Sequence, residues 1–130
     1  MKNKNLGFMP EVGVGVDIES LQRFQKLNLT HDKTFLQRIY TPKELSYCFA
    51  KKYPAQHLAV RFTAKEAVLK ALSVLGTTKL PLNTIEIYND KKGIPYVNLI
   101  ATKSEKFCLK ISLSHDKDKA LAFALAFRSR

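Results

Sequence analysis

The sequence predicts an α+β domain: an antiparallel sheet packed on one side by helices, one of them long and central. Three observations predict it. Residues 11–19 and 120–127 alternate with period two, as strands do. Residues 55–75 carry apolar side chains around more than one side, as a largely buried helix does. Every second residue from Ala120 to Ala126 is alanine, which leaves room for a helix to come close.

Residues 1–10 read as a flexible polar lead-in and 11–130 as a single domain. In the first strand Val12, Val14, Val16 and Ile18 fall on one face, with Gly13, Gly15, Asp17 and Glu19 on the other. One face is expected to be buried. The glycines pack nothing, so they fit where another backbone or a ligand comes close. Ser20 is expected to cap a short helix over 21–27, with Leu21, Phe24 and Leu27 on its apolar side. A second helix is expected over 32–40, with Phe35, Leu36 and Ile39 facing in. Thr41-Pro42-Lys43-Glu44 has the signature of a helix start: a capping threonine, then proline, then glutamate at the third position. That helix ends before Pro54. The central helix follows over 55–75, closed by Gly76 and Pro81. Ile85 and Ile87 then alternate in a strand, residues 89–93 make a hairpin turn, and 96–99 return. Leu109, Ile111 and Leu113 share one face of the next strand. The last strand sets Leu121, Phe123, Leu125 and Phe127 opposite its alanines.

At 130 residues and 45% apolar, the chain is long enough to bury a core. No apolar run approaches the roughly 18 residues of a membrane helix, and the first residues hold no signal-peptide pattern. Cys48 and Cys108 form neither a metal spacing nor a disulfide framework; they are expected as reduced thiols in a cytoplasmic protein. The net charge of +11 exceeds what solubility requires and points to an anionic partner. Nucleic acid, an acidic protein, a phosphorylated small molecule and an anionic membrane all qualify. Against nucleic acid, the basic residues are spread along the chain, with no Trp and no RNP-like or helix-turn-helix signature.

Charges interrupt the central helix. Glu66 and Lys70 are four apart and share a face; Arg61 and Lys65 share another. On a solvated helix such pairs are common and contribute little. On a mostly apolar helix they need partners, which a metal or a phosphate supplies. Taken alone, Asp17 reads equally as a turn or capping residue, and His115 as a satisfied histidine.

Together, in chain order, these residues sit in blocks that resemble a known family. They are Gly15-Val16-Asp17-Ile18-Glu19, Phe35-Leu36-Gln37-Arg38-Ile39-Tyr40-Thr41-Pro42-Lys43-Glu44-Leu45, Arg61-Phe62-Thr63-Ala64-Lys65-Glu66-Ala67-Val68-Leu69-Lys70-Ala71, Asp90-Lys91-Lys92-Gly93-Ile94-Pro95-Tyr96, and Ser112-Leu113-Ser114-His115-Asp116 followed by Ala120. The pattern resembles the small phosphopantetheinyl transferases of the holo-acyl-carrier-protein synthase type, over nearly the whole chain. Ser73 stands where that family usually has glycine, and Ile94 where lysine or arginine is frequent.

The resemblance implies magnesium-dependent transfer of 4'-phosphopantetheine from coenzyme A to a serine of apo acyl carrier protein, serving fatty acid biosynthesis and releasing adenosine 3',5'-bisphosphate. It implies that Asp17 and Glu66 are the Mg2+ ligands and, with Lys70 and His115, the catalytic residues. Lys70 would stabilise the transferring phosphate. Arg61, His115 and, more weakly, Lys65 would hold phosphates of the coenzyme, beside Gly93 and Pro95 of the hairpin. The serine's proton would go to Glu66 or to a magnesium-bound hydroxide. The resemblance further implies a homotrimer with active sites between chains, and the stripe Leu121/Phe123/Leu125/Phe127 would lend itself to one. The same stripe reads alternatively as monomer core with the alanines outward. Arg23 and Lys26, three apart on the first helix, are expected to dock the acidic carrier. No nucleic acid and no membrane is expected as partner. The rival reading, a basic module that docks on RNA or the ribosome, explains the charge but not Asp17, Glu66 or the ordered motifs. A relative that kept the fold and lost catalysis is a third reading; intact Asp17, Glu66, Lys70 and His115 argue against it.

Overall fold

The computed structural model describes residues 11–77, 79–101 and 107–128; the expected lead-in, 1–10, lies outside them. The order is β1 (Gly13–Ser20), a 3-10 turn (Leu21–Phe24), α1 (Lys33–Ile39), α2 (Pro42–Phe49), α3 (Pro54–Val74), a second 3-10 turn (Leu82–Thr84), β2 (Ile85–Asn89), β3 (Pro95–Leu99), β4 (Phe107–His115) and β5 (Lys119–Arg128). Among the described residues the strands form two antiparallel pieces, a sheet in the order β1-β5-β4 and the hairpin β2–β3. The architecture is the α+β one expected, with its sheet in two pieces.

The packing of α3 on β1 and β5 is set by small residues. A Cβ at Gly13 would lie 1.9 Å from the Ala71 carbonyl oxygen, and one at Gly15 1.9 Å from that of Ala67. Strand backbone and helix backbone are therefore in direct contact, and only glycine fits. The glycine face of β1 is the buried one, and the valine face looks outward: Val16 is 53% exposed. Ala120, Ala122, Ala124 and Ala126 of β5 are fully buried in the same layer. The reading with the alanines outward is thereby excluded. On the outer face Val14 pairs with Leu125, Val16 with Phe123 and Ile18 with Leu121. Phe123 is 39% exposed, and Leu121 is exposed beside it.

Helix termini follow local rules, with exceptions that have reasons. The capping box at Thr41 is complete: Glu44 N donates to Thr41 Oγ1 at 3.2 Å, and Thr41 N to Glu44 Oε1 at 2.9 Å. α3 ends in the bond pair of a Schellman turn, Thr77 N to Leu72 O at 3.2 Å and Gly76 N to Ser73 O at 3.1 Å, with Gly76 at φ +85°. The helix expected over 21–27 is only a 3-10 turn. Ser20 makes no side-chain cap bond, Leu21 N is taken by Asp118 O at 2.9 Å, and the bonds that follow, from Gln25 N and Leu27 N, span three residues. Phe35, expected to face in, is 49% exposed, because the seven-residue α1 buries only the narrow stripe of Leu36 and Ile39.

One buried carboxylate ties three elements together. Glu44 Oε1 also accepts from Lys65 Nζ at 2.6 Å, and Oε2 accepts from Ile87 N at 2.9 Å. Lys65, fully buried on α3, donates further to Leu82 O at 3.0 Å and to Ile85 O. Burial pulls the Lys65 ammonium below its ordinary value, with Glu44 opposing. The arrangement meets the requirement that a buried charge be paired and hydrogen-bonded.

Gly15→Ala tests the backbone contact. The added methyl has only main chain to displace, so the loss of stability is expected at about 3 kcal/mol or more. The urea-unfolding midpoint measures it, and a parent-like midpoint would contradict the packing described.

Candidate active site

The inner face of β1 runs Gly13, Gly15, Asp17, Glu19. Asp17 is its first residue with a side chain, and it meets the flank of α3 that carries Glu66 and Lys70. Lys70 Nζ donates to Asp17 Oδ1 at 3.1 Å and to Val16 O at 2.9 Å. Asp17 Oδ2 is buried with no hydrogen-bond partner among the described residues. Glu66 carries its carboxyl above the ordinary 4.5: partial burial raises it first, then the charges of Asp17 and Glu19, while Lys70 and Arg23 pull it down. Three carboxylates thus face one region, opposed by the positive charges of Lys70 and Arg23. Among the described residues no three His, Cys, Asp or Glu side chains gather into a metal cage. Magnesium does not require one: it binds through one or two carboxylates and completes its shell with phosphate oxygens and water. The donor set and the orphaned Oδ2 fit that ion.

The opposite flank of α3 is cationic. Five residues before Glu66, at about 100° per residue, Arg61 points to the far side of the helix. It is 3% exposed; its Nη2 donates to Asn89 Oδ1 at 2.9 Å, and its Nε is buried without a partner among the described residues. A cavity of about 390 Å³ opens there, lined by Arg61, His57, Gln56, Asn89, Gly93, Pro95 and His115 among others. His115 ends β4, and its Nε2 lies 3.0 Å from Gln56 Nε2. His57 is held below its ordinary value, by burial first and then by Arg61, Lys51 and His115. A cavity lined by Arg61, two histidines and amide groups, with no carboxylate paired to Arg61 among the described residues, suits an anion.

The expected site residues therefore fall into two sets with α3 between them: Asp17, Glu66 and Lys70 on the β1 side, and Arg61, Gly93, Pro95 and His115 on the hairpin side. Lys65 belongs to neither. It was expected to reach a coenzyme phosphate, but its ammonium is spent on Glu44, Leu82 and Ile85 inside the core. Arg23 pairs with Glu19 and lies 5.4 Å from the Phe62 ring centroid. The face it was to share with Lys26 does not form, because the turn ends at Phe24 and leaves Lys26 beyond it, exposed. Sequence reading missed His57, Gln56, Tyr47 and Asn89. A signal existed for His57, four residues before Arg61 on the same helix; none existed for Tyr47, which comes from another element.

Residues 13–126 match the model of the 4'-phosphopantetheinyl transferase superfamily. The chain belongs to that superfamily. This transferase is 42% identical over 116 residues to the holo-[acyl-carrier-protein] synthase of Geotalea daltonii, across 85% of this chain and 93% of the relative. Among solved structures it resembles the holo-(acyl-carrier-protein) synthase of Bacillus anthracis in complex with CoA (3',5'-ADP), at 30% identity and a TM-score of 0.72, over 90% of this chain and 96% of that one. It also resembles the holo-[acyl-carrier-protein] synthase of Helicobacter pylori in complex with coenzyme A, at 32% identity and a TM-score of 0.69, over 89% and 99% of the two chains.

The raised Glu66 carboxyl gives a stability prediction with a definite sign. A folded value above 4.5 means that ionised Glu66 opposes folding; the cost is absent below about pH 4.5 and complete once pH passes the folded value. Glu66→Gln removes that cost. In metal-free buffer at pH 7 the variant is expected to melt above the parent, and the gap should close as pH falls toward 4.5. A variant that melts lower at pH 7 would contradict the electrostatic account.

Proposed function

We propose that this transferase moves the 4'-phosphopantetheine group of coenzyme A onto a serine of an apo acyl carrier protein, releasing adenosine 3',5'-bisphosphate, in the cytoplasm and in the service of fatty acid biosynthesis. The observation that carries the reading is the convergence of Asp17, Glu66 and Lys70 from two elements onto one region, with the orphaned Asp17 oxygen facing it. Asp17 and Glu66 would hold a magnesium ion there, which when bound offsets charge on the coenzyme's pyrophosphate. Lys70, one helical turn from Glu66, pairs with the phosphate in transfer, where charge concentrates. Glu66 is a carboxylate of this chain within the same region that could accept the serine proton. Arg61 and His115 hold phosphates of the coenzyme, with Gly93 and Pro95 forming the wall beside them. The bonds balance simply: the serine oxygen joins the pantetheine-side phosphorus as that phosphorus leaves the bridging oxygen, which departs with the bisphosphate.

With α3 between the two sets, a compact pyrophosphate meets both only when neighbouring copies contribute one set each. The exposed apolar face of Val14, Val16, Ile18, Leu121 and Phe123 supports association, since so large a patch is unusual on a lone soluble chain. A homotrimer with shared sites is the assembly we favour. The carrier docks on the Arg23 side, next to the carboxylates, so that its serine reaches Lys70.

The reaction is tested by mass spectrometry of an apo carrier incubated with the chain, coenzyme A and magnesium; the carrier is expected to gain one phosphopantetheine. Asp17→Ala is expected to lower turnover by about a hundredfold or more. Near-parent turnover of that variant at low magnesium would remove Asp17 from the site. The shared site is tested by mixing two inactive variants, Glu66→Gln and His115→Ala, under conditions that exchange subunits. Recovered activity is expected, and none would mean that each chain works alone.

A further inference from the structure

The guanidinium of Arg61 is held in place by the protein itself, by two other elements at once. Asn89, at the end of β2, accepts from its Nη2 at 2.9 Å. The ring of Tyr47, on α2, lies 4.1 Å from its Cζ. Both partners are in turn fixed. Asn89 Nδ2 donates to Gly93 O at 3.1 Å, reaching across the hairpin turn. Tyr47 meets the His57 ring edge-on, with centroids 5.7 Å apart, and Lys51 Nζ lies 4.5 Å from its centroid. Arg61, Tyr47, Asn89, His57 and Gly93 all line the 390 Å³ cavity.

The chemistry of these partners matters. An arginine that grips a phosphate from a free rotamer pool loses side-chain entropy on binding, and one already immobilised does not. A carboxylate would also immobilise it, but would cancel the charge that the phosphate needs. A neutral amide and an aromatic face orient the cation and leave its charge intact. The buried Nε, without a partner among the described residues, leaves donor capacity over after the clamp is made.

We propose that Tyr47 and Asn89 are positioning residues that pre-set Arg61 for a phosphate of coenzyme A, with Asn89 locking that cation to the Gly93 turn so that both meet the ligand as one unit. This rests on the transferase reading above. Neither residue needs to touch the substrate.

The test is a double-mutant cycle on the full chain, read by calorimetric titration with coenzyme A. Asn89→Ala and Tyr47→Leu are each expected to weaken binding roughly tenfold, in keeping with loss of one charge-assisted contact. The Michaelis constant for coenzyme A should rise in step, while that for the carrier and the turnover number stay near the parent's. Tyr47→Phe keeps the ring and should keep parent affinity. In an Arg61→Ala background neither substitution should weaken binding further. Full additivity with Arg61→Ala, or unchanged affinity in the single variants, would overturn the proposal. Should Asn89→Ala fail to fold, Asn89→Asp decides: it keeps an acceptor but neutralises Arg61, so affinity must fall, and parent-like affinity would overturn the clamp. A parent chain that binds coenzyme A but modifies no carrier refutes the reaction alone, and the cycle still judges the clamp. A parent that modifies the carrier while the cycle is additive refutes the clamp alone.

Discussion

The contact of β1 backbone with α3 backbone is the constraint on which the rest depends. Because Gly13 and Gly15 admit Ala71 and Ala67 to main-chain distance, the helix sits lower on the sheet than side chains would allow. The alanines of β5 continue the same floor. A helix sunk this far buries Lys65 and Arg61, and those charges must find partners within the fold. Lys65 finds Glu44, Lys70 finds Asp17, and Arg61 finds Asn89. Asp17 owes its place to the same contact, as the next inward residue along the strand after the two glycines.

Much of this was legible in the sequence, and the failures have a common cause. Period-two alternation marked β1 and β5, and alanine spacing marked the helix-bearing side of β5. The capping box marked the start of α2, and the family-like blocks marked Asp17, Glu66, Lys70, Arg61 and His115. Local patterns carry that information. Local patterns do not say which face of a valine/glycine strand is covered, because apolarity argues for the valines and close packing for the glycines; here close packing prevails. Nor could they tell a lysine that reaches the carboxylate region from a buried strut. Lys65 and Lys70 look alike in sequence, and only the position of Glu44, a distant residue in the chain, separates them.

The division of charge across α3 keeps the carboxylates around Asp17 apart from Arg61 on the other flank. Glu66 and Arg61 are close in sequence but face different neighbours, and the helix body keeps them apart. Among the described residues each flank then retains unmet valence: a carboxylate oxygen without a partner on one side, a guanidinium nitrogen without one on the other. Family membership as a transferase gives both a use that a binding module without catalysis would not.

Glu44 has one more consequence. Its carboxylate closes the first turn of α2, neutralises a buried ammonium on α3 and accepts an amide of β2. Helix ends ordinarily fray independently of the body of a protein, with opening energies near zero. This one cannot, because unwinding the first turn of α2 would strand Lys65 in the core and free the Ile87 amide at the same moment. The start of α2, the middle of α3 and the hairpin strand are therefore coupled through one carboxylate, so that opening any one of them costs the others a partner.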